Sequence, residues 1–193
     1  PLRGTKGTTW EGGMRVPCIM RWPGRIVEGT TCTQIATSMD LYPTLSNLGG
    51  ANLPSDRKID GVDLSSVIFD DDIDQTVRND FFYYNGNYLA AVRSGNWKLH
   101  VLKPDTKEMN IRELYDLESD VSESNNLYDD YPDIVDDLTE KLNFCRKDIG
   151  DQSFQKSGEN IRTIGEVKIP TILSHCDPSH PIIVAMYDIK DRG

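Results

Sequence analysis

The sequence predicts an α/β chain in which the end of a larger α/β layer is followed by a small antiparallel sheet and a C-terminal helix. Three observations carry this. A Gly- and Thr-rich loop over 1–15 runs into a short apolar stretch and then a helical stripe. Four strand-like runs crowd residues 81–117. After Pro132 the apolar period returns to that of a helix.

The elements follow in order. Residues 16–22 are apolar and bounded by Pro17 and by Pro23-Gly24, which predicts a buried strand with a sharp stop and makes Cys18 a buried free thiol. From Ser38, Leu41, Leu45 and Leu48 fall at i, i+4, i+7. Ser38 or Asp40 can cap that helix, Pro43 is tolerated in its first turn, and Gly49-Gly50 ends it. Asp70-Asp71-Asp72 lacks the Gly and distal Glu of a calcium loop and reads as a solvated turn.

Strands are expected at 81–84, 88–93, 97–102 and 114–117, with Ser94-Gly95-Asn96 as a hairpin turn in an antiparallel meander. Alternation puts Tyr88, Ala90 and Val92 on one face, and Trp97, Leu99 and Val101 on one face of the next strand. In the helix after Pro132, Ile134, Leu138, Leu142 and Cys145 form the stripe. Asp133, Asp136 and Asp137 lie near its positive end, Lys141, Arg146 and Lys147 near its negative end, and Gly150 closes it. Residues 151–193 are Pro-broken, with one apolar run at 182–186. The expected division is 1–75, 76–150 and a tail at 151–193.

Composition narrows the function. The 193 residues carry 21 Lys+Arg against 31 Asp+Glu, a net −10, with 37% hydrophobic and 27% charged residues. This is a globular composition, and no apolar run approaches the ~20 residues of a membrane span. The acidic total without a basic cluster argues against a nucleic-acid partner. Charge is uneven, however. Residues 1–25 hold Arg3, Lys6, Arg15, Arg21 and Arg25 against Glu11 alone, a local +4, while the remaining 16 cations and 30 anions give −14. Such a patch can concentrate an anionic ligand on an acidic protein. Cys18, Cys32, Cys145 and Cys176 form no C-x-x-C or zinc spacing. No N-x-S/T sequon occurs, which argues against a secreted animal glycoprotein and leaves a bacterial periplasmic or extracellular setting open.

The dense constellation is Arg3-Gly4-Thr5-Lys6-Gly7-Thr8-Thr9-Trp10-Glu11-Gly12-Gly13-Met14-Arg15-Val16-Pro17. Lys6 between Gly4 and Gly7 is a point charge on a backbone with little bulk, suited to a tetrahedral oxyanion. It is not a P-loop, because Thr5 precedes Lys6 and the earlier Gly spacing is absent. A Gly-rich structural loop stays open as the alternative. His100 falls opposite the Trp97 face and reads as an edge-strand histidine facing solvent. Glu11 and Arg15 can pair at i, i+4 or brace the loop, and Trp10 and Trp22 read as core or hinge packing. His175 and His180 read as surface or turn histidines.

That first block, followed by Trp22-Pro23-Gly24, closely resembles the stretch of arylsulfatase-type, formylglycine-dependent sulfatases that reads approximately G-K-x-T-x-x-E-G-G-x-R-x-P, then W-P-G. Asp40-Leu41-Tyr42-Pro43-Thr44-Leu45 resembles their D-L-x-P-T-L helix. Val92-Arg93 with Gly95, Trp97, Lys98 and His100 resembles their R-x-G-x-x-K-x-H hairpin. Leu114-Tyr115-Asp116-Leu117 with Glu123 and Asn126-Leu127 resembles L-Y-D-L … E-x-x-N-L. The resemblance runs in order over residues 1 to about 150.

It implies an alkaline phosphatase-like fold, present in part: the end of the large α/β domain over 1–75, the small sheet and helix over 76–150, and a tail packing on the domain over 151–193. It further implies hydrolysis of sulfate monoesters by a formylglycine nucleophile, made from Cys or Ser in C/S-x-P-x-R beside a bound Ca²⁺. Lys6 would be the catalytic and substrate-binding lysine on the sulfate, neutralising its oxygens as the S–O bond breaks. The small subdomain would lie near the pocket mouth, making His100 a substrate contact. No C/S-x-P-x-R occurs, and the family's metal ligands, second lysine and catalytic histidines would lie before Pro1. No metal ligand is therefore expected in this chain, which alone should be inactive. The partner would be a sulfated small molecule or glycan, and the setting periplasmic or extracellular in a bacterium, lysosomal or secreted in a eukaryote. The alternatives are a non-catalytic module binding sulfated glycans, or a phosphoesterase relative.

Overall fold

Four antiparallel strands in sequence order, β1 (Asp80–Asn85), β2 (Tyr88–Ser94), β3 (Trp97–Leu102) and β4 (Met109–Asp116), make one sheet. The computed structural model describes residues 1–69, 76–103 and 108–161. The Asp70-Asp71-Asp72 turn, Cys176, His175, His180 and the 182–186 run lie outside them. Among the described residues no helix is long and apolar enough to cross a membrane. The expected meander is present. Its β2–β3 turn has Gly95 at φ 56°, in the left-handed region where a side chain would be strained.

The alternation in β2 is not the expected one. Tyr83 pairs with Ala91 but Tyr84 pairs with Leu89, so Ala90 is an extra residue opposite a single step of β1. This bulge restarts the alternation, so Leu89 and Val92 both reach the core, whereas unbroken alternation puts Tyr88, Ala90 and Val92 on one face.

Pro132 occupies the first turn of the long helix, where its missing N–H costs nothing, and Arg146 and Lys147 sit at the negative end. This helix covers one face of the sheet. Its Val135, Leu138, Leu142 and Cys145 bury against Leu89, Val92, Leu99 and Leu114. The stripe is centred on Val135, with Ile134 at its margin. After the helix, Asp151 ties the chain back to the bulged strand, its Oδ1 accepting from the Leu89 N–H at 3.2 Å and its Oδ2 from Arg146 Nε at 3.0 Å.

Upstream, two expectations are corrected. Residues 16–22 form no strand: Val16 is 77% and Ile19 94% exposed, and Cys18 is exposed. A strand needs neighbours for its N–H and C=O groups; Pro17 lacks the donor, and no described strand lies alongside. A helix does form at Leu41–Leu48, but it buries Pro43 and Thr44 while Leu41 and Leu45 stay exposed. Its entry is set by Thr37, which forms a capping box with Asp40. Asp40 is wholly buried. Burial pushes its carboxyl up, but N–H donation from Val62 and Thr37 and the guanidinium of Arg78 hold it below the usual range.

Candidate functional site

The Lys6 segment is a tight turn on a short helix. The Thr8 N–H donates to Thr5 O at 3.1 Å and the Thr8 hydroxyl to the same oxygen at 2.8 Å, leaving Lys6 and Gly7 at the tip, with Gly7 at φ 93°. The chain then enters the single-turn helix Glu11–Met14, which folds back on the loop, the Gly12 N–H donating to Arg3 O at 2.7 Å. A Cβ on Gly12 would stand 2.5 Å from Arg3 O, and one on Gly13 2.3 Å from Thr8 O. Only glycine permits that approach, which accounts for the Glu11-Gly12-Gly13 run. Lys6 is exposed and has no hydrogen bond or ion pair among the described residues.

The base of the loop lies on the sheet face opposite the long helix. That face is polar, and it is buried. Trp10 has no exposed surface; its ring lies 4.4 Å from that of His100, and the Arg3 guanidinium sits 3.6 Å from its centroid. Beside it, Lys98 Nζ donates to Glu11 Oε1 at 2.8 Å and Thr9 O at 2.8 Å, and lies 3.0 Å from Glu123 Oε1. The ammonium also stands over the Tyr83 ring, 4.4 Å from its centroid. His100 Nε2 is 2.8 Å from Glu123 Oε1, and Glu123 Oε2 accepts from the Glu11 N–H at 2.7 Å. Lys98, His100 and Glu123 are 0% exposed and Glu11 2%.

The charges follow from these contacts. Burial pushes the Glu123 carboxyl up, but donation by His100 and the Lys98 charge overcome it and hold Glu123 below its usual range. Burial holds His100 below its ordinary value, so a neutral ring donating from Nε2 is the tautomer the network assigns. Its Nδ1 has no partner among the described residues. One lysine thus balances two buried carboxylates, with Arg15 Nη1 3.7 Å from Glu11 Oε2.

Glu123 reaches this place from a turn organised by Asp120, which accepts from the N–H groups of Ser124 at 2.7 Å and Asn125 at 2.8 Å. Slight burial raises the Asp120 pKa, but these donors and the Ser122 and Ser124 hydroxyls bring it to about 2. Glu123 sits at φ 52°, a left-handed backbone rare for Glu. Three residues on, Asn126 accepts from the Leu114 N–H at 3.0 Å and ties the turn to β4. The Glu123 and Asn126-Leu127 element therefore has separate duties for its two polar residues.

Acid should loosen this arrangement. A histidine held below its ordinary 6.5 takes up protons more readily unfolded than folded, so its contribution is complete above about pH 6.5 and lost as pH falls below it. Glu123, held below 4.5, contributes above that value and loses its contribution as pH drops further, the same direction. The melting temperature is expected to fall on going from about pH 7 to 5, and His100→Gln, which keeps a donor toward Glu123, to flatten that step. Equal slopes for the two proteins would count against a buried neutral His100.

Lys6 and His100 are not brought together: one tops the loop and the other lies under Trp10. The solvent-facing edge histidine is corrected, because β3 is interior, flanked by β2 and β4 and covered by the loop base. Glu11 and Arg15 do pair, but the closer partner of Glu11 is Lys98. Trp10 is core, whereas Trp22 is 43% exposed against the edge of Phe69. Lys98 and Glu123 were missed as site residues. The available signal was two polar residues, Lys98 and His100, alternating on a central strand of a meander.

Calcium and formylglycine do not fit these residues. Among the described residues no three His, Cys, Asp or Glu are grouped for a metal, and the buried carboxylates of Glu11, Asp40, Glu123 and Asp151 are already taken by cations and N–H donors. Of the cysteines only Cys176 has Pro two residues on, at Pro178, and His180 stands where the C-x-P-x-R motif needs Arg.

The family model described as N-sulphoglucosamine sulphohydrolase, C-terminal, matches residues 5–148. Steryl-sulfatase of Mus musculus is 42% identical over 109 residues, covering 54% of this chain and 17% of that protein. Arylsulfatase G of Rattus norvegicus is 32% identical over 192 residues, 90% of this chain and 35% of that protein. Among solved structures, the PsFucS1 sulfatase from Pseudoalteromonas sp. matches with a TM-score of 0.67 at 26% identity, over 75% of this chain and 32% of that one. The chain spans about a sixth to about a third of the length of these curated relatives.

Proposed function

The chain belongs to the N-sulphoglucosamine sulphohydrolase C-terminal family of sulfatases, and from that premise we propose that it is the C-terminal portion of a sulfuric ester hydrolase in which Lys6 meets the substrate's sulfate. The observation that carries this is the exposed, unpaired ammonium at the tip of a glycine-packed turn whose base is clamped from behind by buried charges. A cation on so rigid a support is already in place when negative charge grows on the leaving oxygen, and needs little reorganisation. The sulfate's non-bridging oxygens carry charge in the ground state too, so Lys6 serves binding as well as turnover. His100, enclosed beneath Trp10, belongs to the support of the loop in this reading and not to the substrate surface.

Residues 1–75 then close the larger α/β domain, 76–150 form the small subdomain, and 151–193 are its tail. The nucleophile and calcium belong to parts of the protein outside this chain. The substrate is a sulfate ester of a small molecule or glycan, and the protein works in the periplasm or outside a bacterial cell, or in the lysosome or secreted if the host is a eukaryote. The test is side-by-side turnover of an aryl sulfate and an aryl phosphate by the whole protein. Sulfate turnover at least tenfold faster is expected. Preferential phosphate turnover would make it a phosphoesterase. No turnover of either, with salt-sensitive binding to a sulfated polysaccharide, would make it a binding module.

A further inference from the structure

Glu123 touches the Lys6 loop at both ends. Its carboxylate Oε2 accepts from the Glu11 N–H at 2.7 Å, after the turn, and its backbone carbonyl accepts from Arg3 Nη1 at 2.8 Å, before it. The other carboxylate oxygen takes His100 Nε2 at 2.8 Å and lies 3.0 Å from Lys98 Nζ, both on β3. The residue is wholly buried and its backbone is left-handed, held by the Asp120 turn. A left-handed, fully buried glutamate is costly in two ways, and both costs are met only in the assembled arrangement.

We infer that Glu123 is a positioning residue for Lys6: it fixes the ends of the 3–11 loop to β3, so that the small sheet sets where the ammonium stands. This rests on the reading of Lys6 as the sulfate lysine. A displacement of about 1 Å at a reacting centre can cost about a hundredfold in rate, so a residue far from the substrate can govern turnover through the loop alone. Lys98 and His100 contribute through the same carboxylate, Lys98 also directly through Glu11 and Thr9 O.

The experiment uses the whole protein with Glu123→Gln, Lys6→Ala and the double variant. Glutamine keeps the shape but turns one accepting oxygen into a donor, so one anchor is lost. Glu123→Gln is expected to lower kcat/KM on an aryl sulfate by about a hundredfold, and in the Lys6→Ala background to lower it no further, because the lysine through which it acts is gone. Amide exchange at Glu11 and Gly12 should rise about tenfold or more at a free energy of opening below that of global unfolding. Losses that multiply in the double variant, or unchanged exchange at those amides, would overturn the inference. If Lys6→Ala keeps full activity while Glu123→Gln still loosens the loop, the sulfate role of Lys6 falls and the anchoring stands. Should Glu123→Gln fail to fold, Arg3→Ala at its half-buried position removes the other anchor and is read by the same two measurements.

Discussion

Lys6→Ala in the whole protein is expected to lower sulfate-ester turnover by about 10²- to 10³-fold, the usual loss when one preorganised charge-stabilising group is removed, with little change in melting temperature. The asymmetry follows from where the side chain is. Lys6 is exposed and unpaired among the described residues, so truncation takes nothing from the core; surface changes of this kind fall within about 0.5 kcal/mol. The turn persists without it, because it is held by Thr5 and Thr8 and by the close approach of Gly12 and Gly13. Lys6→Arg should recover only part of the loss, since a planar fork does not place its charge where the ammonium stood. Wild-type kcat/KM in the alanine variant would remove Lys6 from the mechanism.

Lys98→Met is expected to do the opposite: a large loss of stability from a lysine wholly buried between Glu11 and Glu123. The substitution leaves Glu11 and Glu123 buried, with Arg15 at 3.7 Å as the nearest remaining cation on Glu11. Removing one partner of a buried ion pair costs about 3–5 kcal/mol, which for a unit of this size lowers the melting temperature by about 10 °C. Adding Glu123→Gln to Lys98→Met should recover part of this, because the uncompensated charge is halved. Thermal melts of the single and double variants decide it. A loss under about 1 kcal/mol for Lys98→Met would mean the lysine is solvated and the network is not closed.

The contrast between the two lysines shows what sequence patterning can and cannot separate. In the sequence both are lysines near glycine: Lys6 beside Gly4 and Gly7, Lys98 three residues after Gly95. Alternation in β3 puts Lys98 and His100 opposite Leu99, and the ordinary meaning of that face in an antiparallel meander is solvent. What covers it is the 3–11 loop, some 90 residues earlier. No local period encodes that coverage. Leu41 and Leu45 err the other way: their spacing reads as a core face, yet the helix docks through Pro43 and Thr44.

By itself the sequence determined the four-strand meander, the turn at Gly95, the helix after Pro132 with its charge order and Leu138, Leu142 and Cys145 of its stripe, and the loop that presents Lys6 between glycines. These depend on φ preferences, capping and hydrophobic period, each confined to a few neighbouring residues. Only the tertiary structure decided the bulge at Ala90 and the burial of Lys98, His100 and Glu123. Those depend on which distant segment removes water from a given face, and a charge is buried only where its partners arrive from elsewhere in the chain.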